Sequence, residues 1–355
     1  MPEDYNKQFS RNNFDLVRLF AAVQVMLLHG AEHLRLDLEA ISFLKLFPGV
    51  PIFFAVSGFL ISASWDRSKN LKTYALNRVL RIYPALWVCL LFSITIILAS
   101  GVIFRFGEFL PWLIAQGSFF QFYNPDFLRG FGVGVINGSL WTIPVELQFY
   151  ILLPLCFFAF KWLAKREINN RGLLIIFGFF LMVAWCFSLL KEEDVLWIKL
   201  FAVSAAPHFY LFLFGWLLQR NFDRVKFCLC EKGIWWLSGY VVTAVAVKLS
   251  FLHVPQSAIF LNLLLALSVI SLAYTKTDLA EKVLRRNDIS YGVYIYHMLL
   301  VNLLVEAGMR GEWTGYIILI FGTLIMALFS WRFVEKPFLA LKKTTIKKMP
   351  FYQSQ

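Results

Sequence analysis

Arg18 and His29 stand eleven residues apart in FDLVRLFAAVQVMLLHG, an apolar stretch whose only other charge is Asp15. An imidazole can take and return a proton near neutral pH, and a guanidinium can hold an anion or a carboxylate. Both are costly in a bilayer, so their place on an apolar helix marks a candidate functional site. Eleven residues of helix turn about 1100°, which leaves the two side chains within roughly 20° of each other and about 16 Å apart along the axis. Asp15, Arg18, Ala22, Val25, His29 and Glu32 form that stripe, while Leu16, Phe20, Val23, Met26, Leu27 and Leu28 cover much of the remainder, so the stripe is expected to face inward. For His29 alone the other reading is a buried histidine bonded to a backbone carbonyl. His33 reads as interfacial.

A second polar group lies in SLWTIPVELQFYILLPL, where Ser139, Thr142, Glu146 and Phe149 share a face and Gln148 follows. Pro144 is expected to free a carbonyl and kink this helix, which is tolerated where protein or water satisfies the freed group. By helical rise Glu146 and His29 lie at similar depth in the outer half of the membrane. Glu146 is therefore either a carboxylate that fixes the His29 tautomer or a structural partner for an arginine. In ISYGVYIYHMLLVNLL, Ser290, Tyr294 and His297 share a face with Tyr291 beside it. That stripe lines a channel for a polar ligand or makes ordinary interhelical hydrogen bonds. His208, after Pro207 and without polar neighbours, reads as packing.

Between the second and third apolar runs, WDRSKNLKTYALNRVLRIYPALW carries Arg67, Lys69, Lys72, Arg78 and Arg81. Arg78 and Arg81 are three residues apart on a short amphipathic helix expected to end before Pro84. They suit a phosphate as a guanidinium pair, or else reflect cytoplasmic positive charge that snorkels to headgroups.

The elements that must position these groups are membrane helices. The 355 residues are 59% hydrophobic and only 16% charged, too apolar for a soluble globular domain. Windows of about twenty apolar residues predict an all-α polytopic bundle of about ten spans, near 14–33, 45–64, 83–103, 139–160, 172–190, 200–219, 234–250, 257–275, 289–309 and 315–334. A net charge of +12 could suggest nucleic acid, but the charges are sorted by side. With the N-terminus in the cytoplasm, only Arg35, Lys45, Arg105, Arg129, Lys191, Lys199, Lys248 and Arg310 of the 34 Lys and Arg fall outside. Both termini are thus expected in the cytoplasm, with no nucleic-acid partner.

The first span lacks a small-residue cleavage site and reads as a retained helix rather than a signal peptide. Cys89, Cys156 and Cys186 lie in spans and Cys228 and Cys230 in a reducing loop, which gives no disulfide framework and only a weak metal signal. The Phe- and Gly-rich segment 104–138 is expected to fold back on the membrane as an interfacial or re-entrant piece. No internal repeat or linker appears, so residues 1–355 read as one transmembrane domain.

Six segments in order resemble the acyltransferase-3 family of integral-membrane O-acyltransferases: Arg18-x10-His29, PIFFAVSGFLIS with Ser57 and Gly58, NRVLRIYP, SLWTIPVELQFY, SYGVYIYH and the closing WRFVEKPF. The resemblance spans nearly the whole chain and implies a bundle of about ten helices. Some members carry a C-terminal SGNH hydrolase-like domain; this chain stops after EKPFLALKKTTIKKMPFYQSQ and reads as a stand-alone member. It implies a catalytic His29 with Arg18 required beside it, a characteristic Glu146, and Arg78 and Arg81 facing acyl-CoA.

The expected reaction moves an acetyl or other short acyl group from cytoplasmic acetyl-CoA to a hydroxyl of an outward-facing glycan or lipid-linked saccharide, in a bacterial inner membrane. Lys72, Arg78 and Arg81 would meet the nucleotide end of the donor, with Tyr294, His297 and Ser57 along its path. His29 would act as general base or as acyl carrier. Tyr294, Ser57 and Arg18 are the candidate oxyanion donors. No metal is expected, and a homo-oligomer is compatible with the reading. The competing class is a transporter or flippase for a lipid-linked sugar, which would need no acyl-CoA.

Overall fold

The structure is a computed structural model that describes residues 11–347 apart from 38, 69, 166–167, 191–192, 250–256 and 286, with backbone alone at 164 and 342–347. Lys69 and Lys191, both counted in the charge argument, lie outside the described residues. All regular structure among the described residues is helical. The helices are α1 (Phe14–His33), α2 (Gly49–Ser68), α3 (Leu71–Ala99), α4 (Phe106–Gly117), α5 (Thr142–Ala164), α6 (Asn170–Leu190), α7 (Leu196–Ala202), α8 (Phe209–Arg220), α9 (Phe222–Leu229), α10 (Gly233–Leu249), α11 (Ser257–Ala273), α12 (Leu279–Leu284), α13 (Ser290–Glu306), α14 (Trp313–Ser330) and α15 (Lys336–Lys347). A π-helical turn, Trp331–Glu335, joins the last two.

Six stretches of described chain are long and apolar enough to cross a membrane: Phe14–His33, Glu39–Ser68, Leu71–Ala99, Gly138–Leu163, Asn170–Leu190 and Trp313–Leu341. The all-α expectation holds, while individual spans differ from it. α10 and α11 are apolar but of 17 residues each, and α13 is also 17. The window at 200–219 is broken into α7 and α8 because Pro207 has no N–H to donate. At the break the Ala205 N–H donates to Gln148 Oε1 at 2.8 Å, and a ring nitrogen of His208 meets Ala202 O at 2.8 Å.

Two proline expectations are corrected. α3 runs without interruption from Leu71 through Pro84, so the basic segment is the first part of a 29-residue helix rather than a separate short one. Its start is fixed by Asn70, whose Oδ1 accepts the Thr73 N–H at 3.0 Å. Pro144 does not kink a rod either: α5 begins at Thr142, which places Pro144 in the first turn, where a missing N–H costs nothing. The interior proline of α5 is Pro154.

Contacts divide the chain into two compact units, one of Met1–Ala21, Phe43–Arg67 and Gln148–Asp288, the other of Ala22–Ser42, Ser68–Leu147 and Ile289–Gln355. In the first, Phe14, Phe59, Phe222 and Tyr274 form an aromatic core between the start of α1, α2, α9 and the end of α11. Asn13 anchors the start of α1 there: its Nδ2 donates to Thr275 O and Lys276 O at 2.8 and 3.0 Å, and its Oδ1 accepts the Ala280 N–H at 2.8 Å. α2 and α8 cross at two glycines. A Cβ on Gly58 would fall on Phe212 O, and one on Gly215 would fall on Ala55 O, so the backbones touch as small residues allow in membrane helices.

In the second unit α13 is buried along almost its whole length and packs on α14, where Gly292 lies against Ala327. The segment 104–138 holds α4 and a 3₁₀ turn at Asp126–Leu128, closed by stacking of Phe104 on Phe109 and by reciprocal hydrogen bonds in which Gln116 Nε2 donates to Gln121 O and Gln121 Nε2 to Gln116 O.

Gly58→Leu is expected to lower folded stability by about 1–3 kcal/mol through overpacking of the α2/α8 crossing. Gly239→Ala, on α10 with open space around it, should instead match or slightly exceed the parent. Thermal unfolding of both variants in the same detergent checks the contrast.

Candidate active site

Of the stripe expected to face inward, Ala22 and Val25 are buried and Asp15, Arg18 and His29 partly so, but Glu32 is exposed, because it stands at the end of α1 beyond the packed turns. The buried arc is broader than expected, because Ala21 and Met26 are buried too, while Phe20 faces outward. Gly30 follows, pressed so closely on Leu319 and Tyr316 of α14 that a Cβ would clash. Tyr316 donates its hydroxyl to Leu27 O at 3.0 Å, which fixes the turn of α1 before His29.

His29 Nδ1 lies 3.1 Å from His297 Nε2, and the other nitrogen of His297, Nδ1, lies 3.3 Å from Val293 O. A carbonyl oxygen only accepts, so His297 Nδ1 carries the proton and its Nε2 holds a lone pair. That lone pair accepts the Nδ1–H of His29. The remaining nitrogen of His29, Nε2, therefore holds a lone pair with no hydrogen-bond partner among the described residues, which is the state a base requires. His297 is fully buried and His29 partly so. The His33 ring stands 5.8 Å from that of His29, with Glu32 near enough to act on both electrostatically.

Glu146 does not supply the partner of His29. It lies within electrostatic reach of Tyr74, Tyr291 and Tyr294, and Tyr74 also feels Arg78, whose guanidinium carbon stands 6.0 Å from its ring centroid. The carboxylate thus belongs to a tyrosine and arginine cluster. Tyr294 donates its hydroxyl proton to Ser139 O at 3.0 Å and meets Thr142 Oγ1 at 2.8 Å. Its single proton is engaged, so it is not a ready oxyanion donor in this arrangement.

Arg78 and Arg81 do not form one open fork. Arg81 Nη1 stands 3.6 Å from a carboxylate oxygen of buried Glu335, whose Oε1 accepts from Ser330 Oγ at 3.2 Å, with the Tyr296 hydroxyl 3.3 Å from the same Oγ. The π-helical turn at Trp331–Glu335 adds a residue to the helical turn that carries Glu335. Lys72 is exposed at the start of α3. In the first unit Arg18 Nη1 pairs with Asp288 Oδ2 at 2.7 Å, and Ser57 is half-buried on α2 beside Gly58.

Asp288 and Glu335 were not singled out by sequence reasoning, and His297 was not paired with His29. Asp288 stands two residues before the first residue of α13 in NDISYGVY, and Glu335 lies in the quoted WRFVEKPF, but nothing local names their partners. The C-terminal half of α13 is pinned by Asn302, whose Nδ2 donates to Val135 O, Ile136 O and Met298 O while its Oδ1 accepts the Val133 N–H at 2.8 Å. Gly132, at φ +58°, has no room for a side chain against it. Asn137 Nδ2 donates to Ile295 O at 2.7 Å, and Ser139 Oγ to Asn137 Oδ1 at 2.8 Å. Residues 132–142 are thereby stitched along the helix that carries His297. Among the described residues no three His, Cys, Asp or Glu side chains are grouped to hold a metal.

The profile of the acyltransferase-3 family, described as an acyltransferase domain, matches residues 11–332. Among curated proteins the chain is similar to nodulation protein 10 of Rhizobium leguminosarum bv. viciae, 30% identical with 98% of each chain covered. It is also similar to an O-acetyl transferase of Shigella phage Sf6, 27% identical over 92% of this chain and 96% of that one. A third relative, the peptidoglycan O-acetyltransferase OatA of Listeria monocytogenes serovar 1/2a, is 23% identical over 82% of this chain but only 51% of its own length. No solved structure matches.

Asn302→Leu strands the Val133 N–H and two carbonyls, at a cost of about 1–3 kcal/mol for each buried group left unsatisfied. Hydrogen–deuterium exchange should speed up at residues 132–136 while α10 and α11 keep their protection; unchanged exchange at 132–136 would show that Asn302 does not hold the segment.

Proposed function

The chain belongs to the acyltransferase-3 family, and from that premise we propose that it is a membrane O-acyltransferase in which His29 Nε2 is the general base. The observation that carries this reading is the ordered pair of imidazoles, which gives His29 one defined tautomer with its outer nitrogen free to accept a proton. Two relatives are O-acetyltransferases, which supports acetyl as the group moved.

The donor in this reading is acetyl-CoA from the cytoplasm, and the acceptor is a hydroxyl of an outward-facing glycan or lipid-linked saccharide at the bacterial inner membrane. His29 Nε2 removes the hydroxyl proton as the oxygen attacks the thioester carbon. The tetrahedral intermediate then expels the CoA sulfur, which takes the proton back from His29. Ester and free thiol are the products, and the imidazole is restored. While His29 is an imidazolium, its Nδ1–H bond to His297 becomes charge-assisted and stronger, so His297 both orients the base and stabilises its charged form.

Arg18 serves as a positioning residue through Asp288, which holds the inner part of α1 in place. Arg78 and Lys72 are the cations proposed to meet the donor's phosphates. Arg81 reaches them only if its ion pair with Glu335 yields, which makes it a structural group first. Tyr294 frames the site through Ser139 and Thr142, and Glu146 balances Arg78 among the tyrosines.

Purified protein in nanodiscs, given acetyl-CoA and de-O-acetylated surface glycan, should release thiol and form glycan ester together. His29→Ala should lower the rate by about 10²–10⁴, the range of a positioned proton-transfer group. His297→Leu should lose about 10²-fold with membrane levels unchanged, and His297→Gln should recover part of it, since an amide oxygen can still accept from His29 Nδ1. Full activity in His29→Ala would overturn the assignment of the base.

A further inference from the structure

On the first unit, the turn at 168–170 that leads into α6 and the turn from α8 into α9 border an open cleft of about 650 Å³, within the usual range for a small-molecule site. Every residue lining it is polar: Arg171, Arg220 and Arg224, the asparagines at 169, 170 and 221, and Asp223.

The walls are bonded together. Asn170 Nδ2 donates to Asn221 Oδ1 at 2.5 Å across the cleft, and Arg220 Nη2 donates to Ile168 O at 2.6 Å, which ties the end of α8 to the start of α6. Asn169 caps α6 by accepting the Gly172 N–H at 2.8 Å, and Asn221 Nδ2 donates to Leu217 O at 2.9 Å. The one acidic side chain, Asp223, is turned to Lys226, its nearest oxygen 3.3 Å from Nζ. Among the described residues no ion pair neutralises Arg171, Arg220 or Arg224. Three arginines thus line one bonded cleft with an excess of positive charge.

We infer that this cleft binds a phosphate group, as a monoester or diester. Guanidinium groups present paired N–H donors that match phosphate oxygens, and several around one cleft outcompete water where one at a surface does not. Both turns lie in segments that the distribution of Lys and Arg assigns to the cytoplasmic side, at the ends of apolar helices, the depth at which a phospholipid headgroup is found. A soluble phosphate reaches the same place from the water. None of these residues takes part in the acyl transfer proposed above.

The test uses the full chain in nanodiscs at fixed ionic strength. In phosphatidylcholine nanodiscs, inorganic phosphate is titrated against chloride with the thermal unfolding midpoint as readout. In parallel, native mass spectrometry counts phosphatidylglycerol retained from discs that contain it. Saturable stabilisation by inorganic phosphate identifies a soluble ligand, and retained phosphatidylglycerol without a phosphate effect identifies a headgroup. In either case Arg171→Gln with Arg224→Gln should weaken the effect at least tenfold, and Asp223→Asn should strengthen it. The two arginines are exposed and make no structural bond among the described residues, so the double variant is expected to fold; Arg220→Gln is a second variant with the Ile168 contact removed. No saturable response in either arm, or one that the double variant leaves unchanged, would overturn the inference.

Discussion

The hydrogen bond between His29 and His297 is the interaction that the packing of α1 and α13 holds in place. Two neutral imidazoles can bond only if one donates and the other accepts, and Val293 O decides which. The proton on His297 is fixed by a backbone carbonyl of its own helix, and that choice is passed to His29. A histidine in an apolar helix without such a partner would exchange tautomers and orientations; this one has a single arrangement and one lone pair available.

The precision of that bond rests on how α13 is held. α13 is held from two sides: Gly292 is packed on Ala327, Asn137 bonds to the α13 backbone at Ile295 O, and Asn302 of α13 bonds residues 133–136 through Val133 N, Val135 O and Ile136 O. α1 cannot turn, because Gly30 is wedged under Tyr316 and Leu319 and the Leu27 carbonyl is taken by the Tyr316 hydroxyl. These supports surround the histidines with bonds made to backbone, which ordinary side-chain motion does not break. A base whose nitrogen must meet a hydroxyl within hydrogen-bond reach needs that kind of fixed frame.

Helical class and the apolar character of the long helices are legible in the sequence because they follow from local composition and from the 3.6-residue period. Partners are not, since each joins residues far apart along the chain: Arg18 to Asp288, His29 to His297, Arg81 to Glu335. Glu146 illustrates the limit. Its depth matches that of His29, but depth says nothing of the direction around a helix bundle, and the carboxylate lies among tyrosines and Arg78. Pro144 and Pro84 mislead for a related reason. A proline signals a break only relative to where the helix begins, and that start was set by a 3₁₀ turn at Gly138–Trp141 in one case and by Asn70 in the other.

The most direct measurement of the central claim is the ¹⁵N spectrum of histidine-labelled protein in lipid bilayers, with His29 assigned by its loss in His29→Gln. The account predicts a protonated Nδ1 and an unprotonated Nε2 on His29, with coupling between His29 Nδ1–H and His297 Nε2 across the hydrogen bond. A protonated Nε2 with an unprotonated Nδ1, or a His29 that remains the same when His297 is replaced by Leu, would contradict it.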